Sequence, residues 1–237
     1  MAFDPGVFWD ALLSRPFALG ALTSLALAVS AHAVGIVLGL ALAVAAEGAG
    51  WRRAGVGAFT WLFRGAPTLL QLLFVWNALP QLIPVLRGTW FTPFLAALLA
   101  LSLNEAAYQA EISRAALLAV PAGQLDAARA LGLTPAKAFL LVRLPQAARV
   151  GLPPTVNEFI TLLKTTSLAS VISLQELLAV TSRTISVTFH FTELYAVALV
   201  YYLAIVSALM VGQAWLERRL RAGHDSARDR GRRSAAA

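Results

Sequence analysis

The stretch Asp126-Ala127-Ala128-Arg129-Ala130-Leu131-Gly132-Leu133-Thr134-Pro135, continued by Val142-Arg143-Leu144-Pro145, decides how the whole chain is read. Residues 122–131 are rich in Ala, Leu and Gln, which lose little rotamer freedom in a helix. Gly132 follows as a residue free to take the left-handed conformation that closes a helix. Thr134 offers an N-cap hydroxyl, and Pro135 suits a first helical turn because its φ is already set. A second helix is expected to run to Arg143, with Pro145 opening the next segment. The stretch reads as two short helices meeting at a glycine corner, with small side chains at 127, 128 and 130 that let another surface come close. By itself it reads equally well as an amphipathic hairpin lying on a membrane surface.

On either side the chain is apolar on the scale of a bilayer. It is 59% hydrophobic and 13% charged, against about 25% charged in soluble domains. No Asp, Glu, Lys or Arg occurs from Phe17 to Ala46, from Gly65 to Leu86 or from Leu194 to Leu216. Each run exceeds the roughly 20 residues that cross about 30 Å of hydrocarbon. An all-α integral membrane protein is expected, one transmembrane domain over 1–237 with five spans at 17–46, 57–81, 91–118, 148–172 and 192–216. The stretch 119–147 is then a polar loop, 173–191 a mixed segment and 217–237 a basic tail. Small residues at Ala31-His32-Ala33 resemble a signal-peptide cleavage site, but the flanking Asp4 and Asp10, and the apolar run beyond, favour a membrane-spanning first helix.

Orientation follows from the cations, which accumulate on the cytoplasmic side. With the N-terminus outside, the inner segments hold Arg52 and Arg53, then Arg129, Lys137, Arg143 and Arg149, then the arginines of the tail. The outer segments hold only Arg15, Arg87 and Arg183. The 119–147 loop and the C-terminus are therefore expected in the cytoplasm, and the protein in the cytoplasmic (inner) membrane. The net charge of +7 is explained by this bias, and the tail's arginines lack the aromatic residues of a nucleic-acid surface.

Several chemistries are not encoded. The chain has no cysteine, and its three histidines, His32, His190 and His224, lie far apart in sequence, so no metal site and no cofactor are expected. No phosphate-binding loop of the Gly-x-x-x-x-Gly-Lys-Ser/Thr type occurs, so energy from ATP requires a separate subunit. No catalytic residue is assigned.

The hairpin resembles the "EAA" loop of ATP-binding-cassette (ABC) importer permeases, whose pattern is Glu-Ala-Ala, a glycine six residues after the Glu, then Ile-x-Leu-Pro. Asp126, Ala127, Ala128, Gly132, Val142, Leu144 and Pro145 fall on that spacing, with Asp126 in place of Glu and Val142 in place of Ile. Arg64-Gly65-Ala66-Pro67 followed by Gln71 resembles the "RGTP…Q" signature of polar amino acid permeases, with Ala66 in place of Thr. Asn157-Glu158-Phe159-Ile160, followed by Lys164-Thr165-Thr166-Ser167-Leu168, resembles their "NEF…KxTSL" signature. The resemblance implies a type I ABC importer permease fold in which 119–147 is the coupling loop. Asp126, Ala127, Ala128, Gly132, Leu144 and Pro145 would couple to ATP-binding-cassette ATPase subunits. It further implies a second permease, identical or paralogous, an extracytoplasmic amino-acid-binding protein, and a polar amino acid substrate moved by alternating access. The alternative is a self-sufficient secondary transporter or channel.

Ionisable residues at membrane depth usually face protein or water and carry function. Arg64 is expected near the inner interface, and Glu111 with Arg114 as a local pair. Asn104 and Glu105 near the middle of span three, and Glu158 in span four after Pro153 and Pro154, are expected to form a polar pocket near the midplane, with the prolines disrupting the helix. Glu158 would receive an ammonium, with Asn104 assisting; Lys164 would lie along the outer exit. Local bonds of Glu158 to Lys164 or an Asn are the competing reading.

Overall fold

The computed structural model describes residues 3–234, with side chains described through 215 and at Arg218. The order of elements is α1 (Pro5–Leu12), α2 (Arg15–Ala46), α3 (Gly50–Gly65), α4 (Thr68–Leu73), α5 (Leu79–Leu82), α6 (Pro93–Leu118), α7 (Ala122–Ala130), α8 (Pro135–Ala138), α9 (Leu144–Thr165), α10 (Leu177–Thr188) and α11 (Phe191–Ser234). No strand occurs among the described residues. By length and apolar composition α2 and Phe191–Trp215 can each cross a membrane, and the bent pair Gly50–Gly65 and Thr68–Leu82 reaches the same length and apolarity only when its two arms are taken together, as a broken span or a re-entrant loop.

The centre of the fold is the pairing of α2 with α6. The buried face of α2 is mostly small, including Gly20, Ala21, Ser24, Ala28, Ala31, Gly35, Gly39 and Ala43 at helical spacing. It meets Ala96, Ala97, Ala100, Ala106, Ala107 and Ala110 of α6. Without a hydrophobic drive between helices in lipid, such faces associate by close van der Waals approach. A Cβ at Gly39 would stand 2.5 Å from Gln109 Cβ and 2.8 Å from the Ala110 backbone nitrogen. Glycine is therefore required there, and Gly35 meets Glu105 in the same way.

The second apolar stretch is not the single helix expected over 57–81. The chain turns by 101° between α3 and Thr68–Leu82. Ala66 (ψ 137°) and Pro67 (ψ 131°) are extended, as the residue before a proline and a proline outside a helix tend to be. The carbonyls exposed by the break are bonded from side chains. Gln71 Nε2 donates to Phe63 O (2.9 Å) and Ala66 O (2.8 Å), and Asn104 Nδ2 donates to Phe63 O (2.8 Å) and Gln71 Oε1 (3.2 Å). An apolar run read by hydropathy alone does not reveal such a turn, because its polar bonds are made by neutral amides.

Two π turns, Phe74–Ala78 and Phe139–Arg143, each end two residues before a proline, Pro80 and Pro145. A proline takes away one backbone donor and pushes on the preceding turn, and the wider π turn absorbs both. Downstream of the second, α9 runs through Pro153 and Pro154 without a break. The disruption expected at these prolines is absent, and the hairpin's second arm and the segment expected as the fourth span form one helical run from Pro135 to Thr165, followed by a 3-10 turn over Thr166–Ile172.

The mixed segment 173–191 contains α10, between left-handed residues Ser173 (φ 64°) and Phe189 (φ 60°). Its N-cap is the buried Glu176, which accepts from Leu178 N (2.9 Å), Ala179 N (2.7 Å), Ser24 Oγ (3.2 Å) and Tyr202 OH (3.2 Å). One carboxylate thus joins α10, α2 and α11. At the N-terminus α1 is tied to α11 by Tyr201 OH donating to Leu12 O at 2.7 Å. Of the basic tail, helix α11 continues to Ser234, and its side chains beyond Arg218 lie outside the described residues.

Candidate functional site

A chain of polar side chains crosses the α2–α6–α9 contact. His32 Nδ1 lies 2.8 Å from Glu105 Oε1. Gln109 Nε2 donates to the same oxygen at 2.8 Å, and Thr155 Oγ1 donates to Gln109 Oε1 at 3.1 Å. Glu105 and Gln109 are each 1% exposed. A carboxylate so far from water is tolerated only with partners, and His32 and Gln109 are those partners. The His32 ring also packs on Phe159 of α9, with centroids 4.9 Å apart. His32 and Gln109 were not singled out from the sequence. Their signal is a histidine inside a run otherwise free of charge and an amide one turn after Glu105.

Glu158 faces this chain from α9. It is half-buried, and its electrostatic neighbours are Glu105, His32 and Arg64. Among the described residues it accepts no hydrogen bond and joins no ion pair; Lys164, exposed further along α9, does not pair with it. Asn157 is engaged elsewhere, accepting from Gln213 Nε2 of α11 at 2.9 Å. The neighbour of Glu158 on α6 is Glu105, while Asn104 is occupied at the break after α3. Arg64 sits at that break, its guanidinium 5.3 Å from the centroid of the Tyr108 ring. Glu111 and Arg114 do pair, at 2.7 Å.

The hairpin forms through local signals. Gly132 has φ 79°. Its N–H donates to Arg129 O (2.9 Å), and Leu133 N–H donates to Ala128 O (3.1 Å), the two bonds of a Schellman cap. Thr134 Oγ1 accepts from Lys137 N at 3.4 Å to start α8. Ala128 is buried, whereas Asp126, Ala127, Arg129 and Leu131 are exposed, and Leu131 at the tip is 83% exposed. Asp126 and Arg129 stand 3.6 Å apart in solvent. An apolar tip with an accessible carboxylate beside it is a surface suited to a protein partner. Leu144 lines an apolar cavity between α2, α6 and α9, and Pro145 is exposed.

Residues 35–222 match the family described as "Binding-protein-dependent transport system inner membrane component". The chain is 39% identical over 231 residues to the octopine transport system permease protein of Rhizobium meliloti, covering 92% of this chain and 93% of that one. It is 38% identical over 214 residues to the arginine transport system permease protein of Corynebacterium glutamicum, covering 85% and 65% respectively. It superposes on a chain of the crystal structure of "an amino acid ABC transporter with histidines" with a TM-score of 0.79 and 33% identity, over 92% of this chain and 100% of that one. The hairpin, the bent apolar pair α3–α4 and these likenesses together mean that the chain belongs to the family of binding-protein-dependent transport system inner membrane components, as an all-helical, membrane-embedded permease subunit of the ABC-importer type.

Proposed function

We propose that this permease imports a polar amino acid, with Glu158 as the receptor for the substrate's ammonium group. The observation that carries this is a half-buried carboxylate with no bonded partner among the described residues, beside the His32–Glu105–Gln109 chain. Glu105 already has two partners, so Glu158 is the carboxylate with bonding capacity to spare. The names of the relatives, transporters of octopine and arginine, agree with a substrate that offers a cationic nitrogen. Asn104 would act by holding the break near the pathway, and Lys164 by lining its outer part.

The N-terminus lies outside and the C-terminus in the cytoplasm. A binding protein delivers the substrate from outside, a second permease completes the pathway, and ATPase subunits dock on the exposed tip of the 122–143 hairpin, around Asp126 and Leu131. Closure of the ATPases on ATP turns the pathway from one side to the other. In proteoliposomes holding the assembled importer, uptake of radiolabelled arginine, glutamine and glutamate identifies the probe carried. Glu158→Gln is expected to lower that uptake about tenfold, as the loss of one charge-assisted contact does, while capture of the ATPase in detergent stays unchanged. Unaltered uptake by the folded variant would remove Glu158 from the site. An Asp126→Arg, Gly132→Pro variant is expected to lose ATPase capture; capture at the wild-type level would take the ATPase off the hairpin.

A further inference from the structure

We propose that Arg143 and Glu47 form the joint through which movement of the hairpin reaches the first and third spans. Arg143 is the last residue of the π turn before α9, and Glu47 is the C-cap of α2. The guanidinium grips the carboxylate with both arms: Nη1 donates to Oε2 at 2.8 Å and Nη2 to Oε1 at 2.6 Å. It also reaches Leu117 O near the end of α6, from Nη2 at 3.3 Å and Nε at 3.4 Å. A carbonyl in the last turn of a helix lacks an intrahelical donor, and a cation there is favoured by the helix dipole. One side chain of the hairpin arm therefore holds the cytoplasmic ends of two other helices.

Three features distinguish this from an ordinary surface pair. The Arg143 side chain is only 15% exposed, against 40% for Glu47, so the pair is shielded on the guanidinium side and open to water on the carboxylate side. The grip lies beside an apolar seam in which Phe139 and Ala147 pack with Leu40, Ala43 and Val120, so it locks a contact that already exists. The hairpin's outer charges, Asp126 and Arg129, are by contrast 70% and 64% exposed and loosely paired. The root of the hairpin is tied to the spans while its tip stays free for a partner. A two-armed bond fixes orientation as well as distance, so a rotation of the arm is passed to α2 and α6. The proposal rests on the reading of the hairpin as the ATPase dock.

The test uses the assembled importer in proteoliposomes, with the probe carried by the wild type, and measures uptake per ATP hydrolysed. Arg143→Lys keeps the charge but loses the fork, and Glu47→Gln removes the acceptor charge. Both are expected to retain ATPase capture and to lower uptake per ATP about tenfold, within the usual range of coupling between sites. The exchange pair Glu47→Arg with Arg143→Glu is expected to recover uptake several-fold over either single change. Wild-type stoichiometry in both single variants would overturn the proposal, as would an exchange pair no better than the singles. Loss of ATPase capture by the single variants would overturn it too, because Arg143 would then belong to the docking surface. A wild-type chain that captures no ATPase would refute the docking reading itself, visibly and before any variant is compared.

Discussion

At the scale of single residues, glycines do opposite things in this chain according to what stands opposite them. Gly39 faces Gln109 and the Ala110 backbone closer than any Cβ tolerates, whereas a Cβ at Gly55 in α3 meets nothing within 4 Å. Gly39→Ala is therefore expected to destabilise the protein by about 1–3 kcal/mol through overpacking. Gly55→Ala should be neutral or stabilising by about 0.5–1 kcal/mol, because alanine loses less entropy in a helix. Thermal unfolding in detergent, followed by tryptophan emission, compares the two; equal melting temperatures would show that α2 and α6 are not packed as described. The same scale explains what a reader of the sequence overlooks. Glu105 and Glu158 stand out because carboxylates in apolar runs are rare, but His32 and Gln109 acquire meaning only once α2 is laid on α6. Asn104 stands beside Glu105 in sequence, and its amide nitrogen donates to the backbone at Phe63 and to Gln71, bonds that only the bend after α3 brings within reach.

At the scale of elements, the break between α3 and α4 tests which bonds hold a bent span. Asn104→Ala removes the donor to Phe63 O and leaves Gln71 Oε1 without its donor, an expected cost of about 1–3 kcal/mol. Pro67→Ala leaves all four side-chain bonds in place and should cost about 1 kcal/mol or less. If Pro67→Ala melts lower than Asn104→Ala, the turn is held by the proline and not by the amides. The elements that were legible in advance are those with local signals. The hairpin follows from Gly132, Thr134 and Pro135, all within four residues of one another. The break was hidden because hydropathy averages over direction. Helix α10 was hidden because its N-cap, Glu176, takes its remaining bonds from Ser24 and Tyr202, residues far away in the chain.

At the scale of the whole molecule, the absence of cysteine makes orientation directly measurable. Leu13 and Leu131 are 81% and 83% exposed and lie at opposite ends of the fold's proposed axis across the membrane. In intact spheroplasts a membrane-impermeant maleimide is expected to label Leu13→Cys, and to label Leu131→Cys only after permeabilisation. The reverse pattern would invert the orientation read from the cations. Fold class was legible at this scale from composition and from the charge-free runs, since both follow from the energetics of the bilayer and not from tertiary detail.

The continuous run from Pro135 through α9 also has a mechanical meaning. If Arg143 is its fulcrum, the arm on the hairpin side comprises the four residues of α8 and the five of the π turn, and the arm in the membrane the 22 residues of α9. At about 1.5 Å per residue these are arms of roughly 13 and 33 Å. As long as α9 moves as one piece, a displacement of about 2 Å imposed on α8 sweeps its far end through about 5 Å, the rise of one helical turn. The lever trades force for travel: a short stroke against the hairpin becomes a long one beyond Glu158.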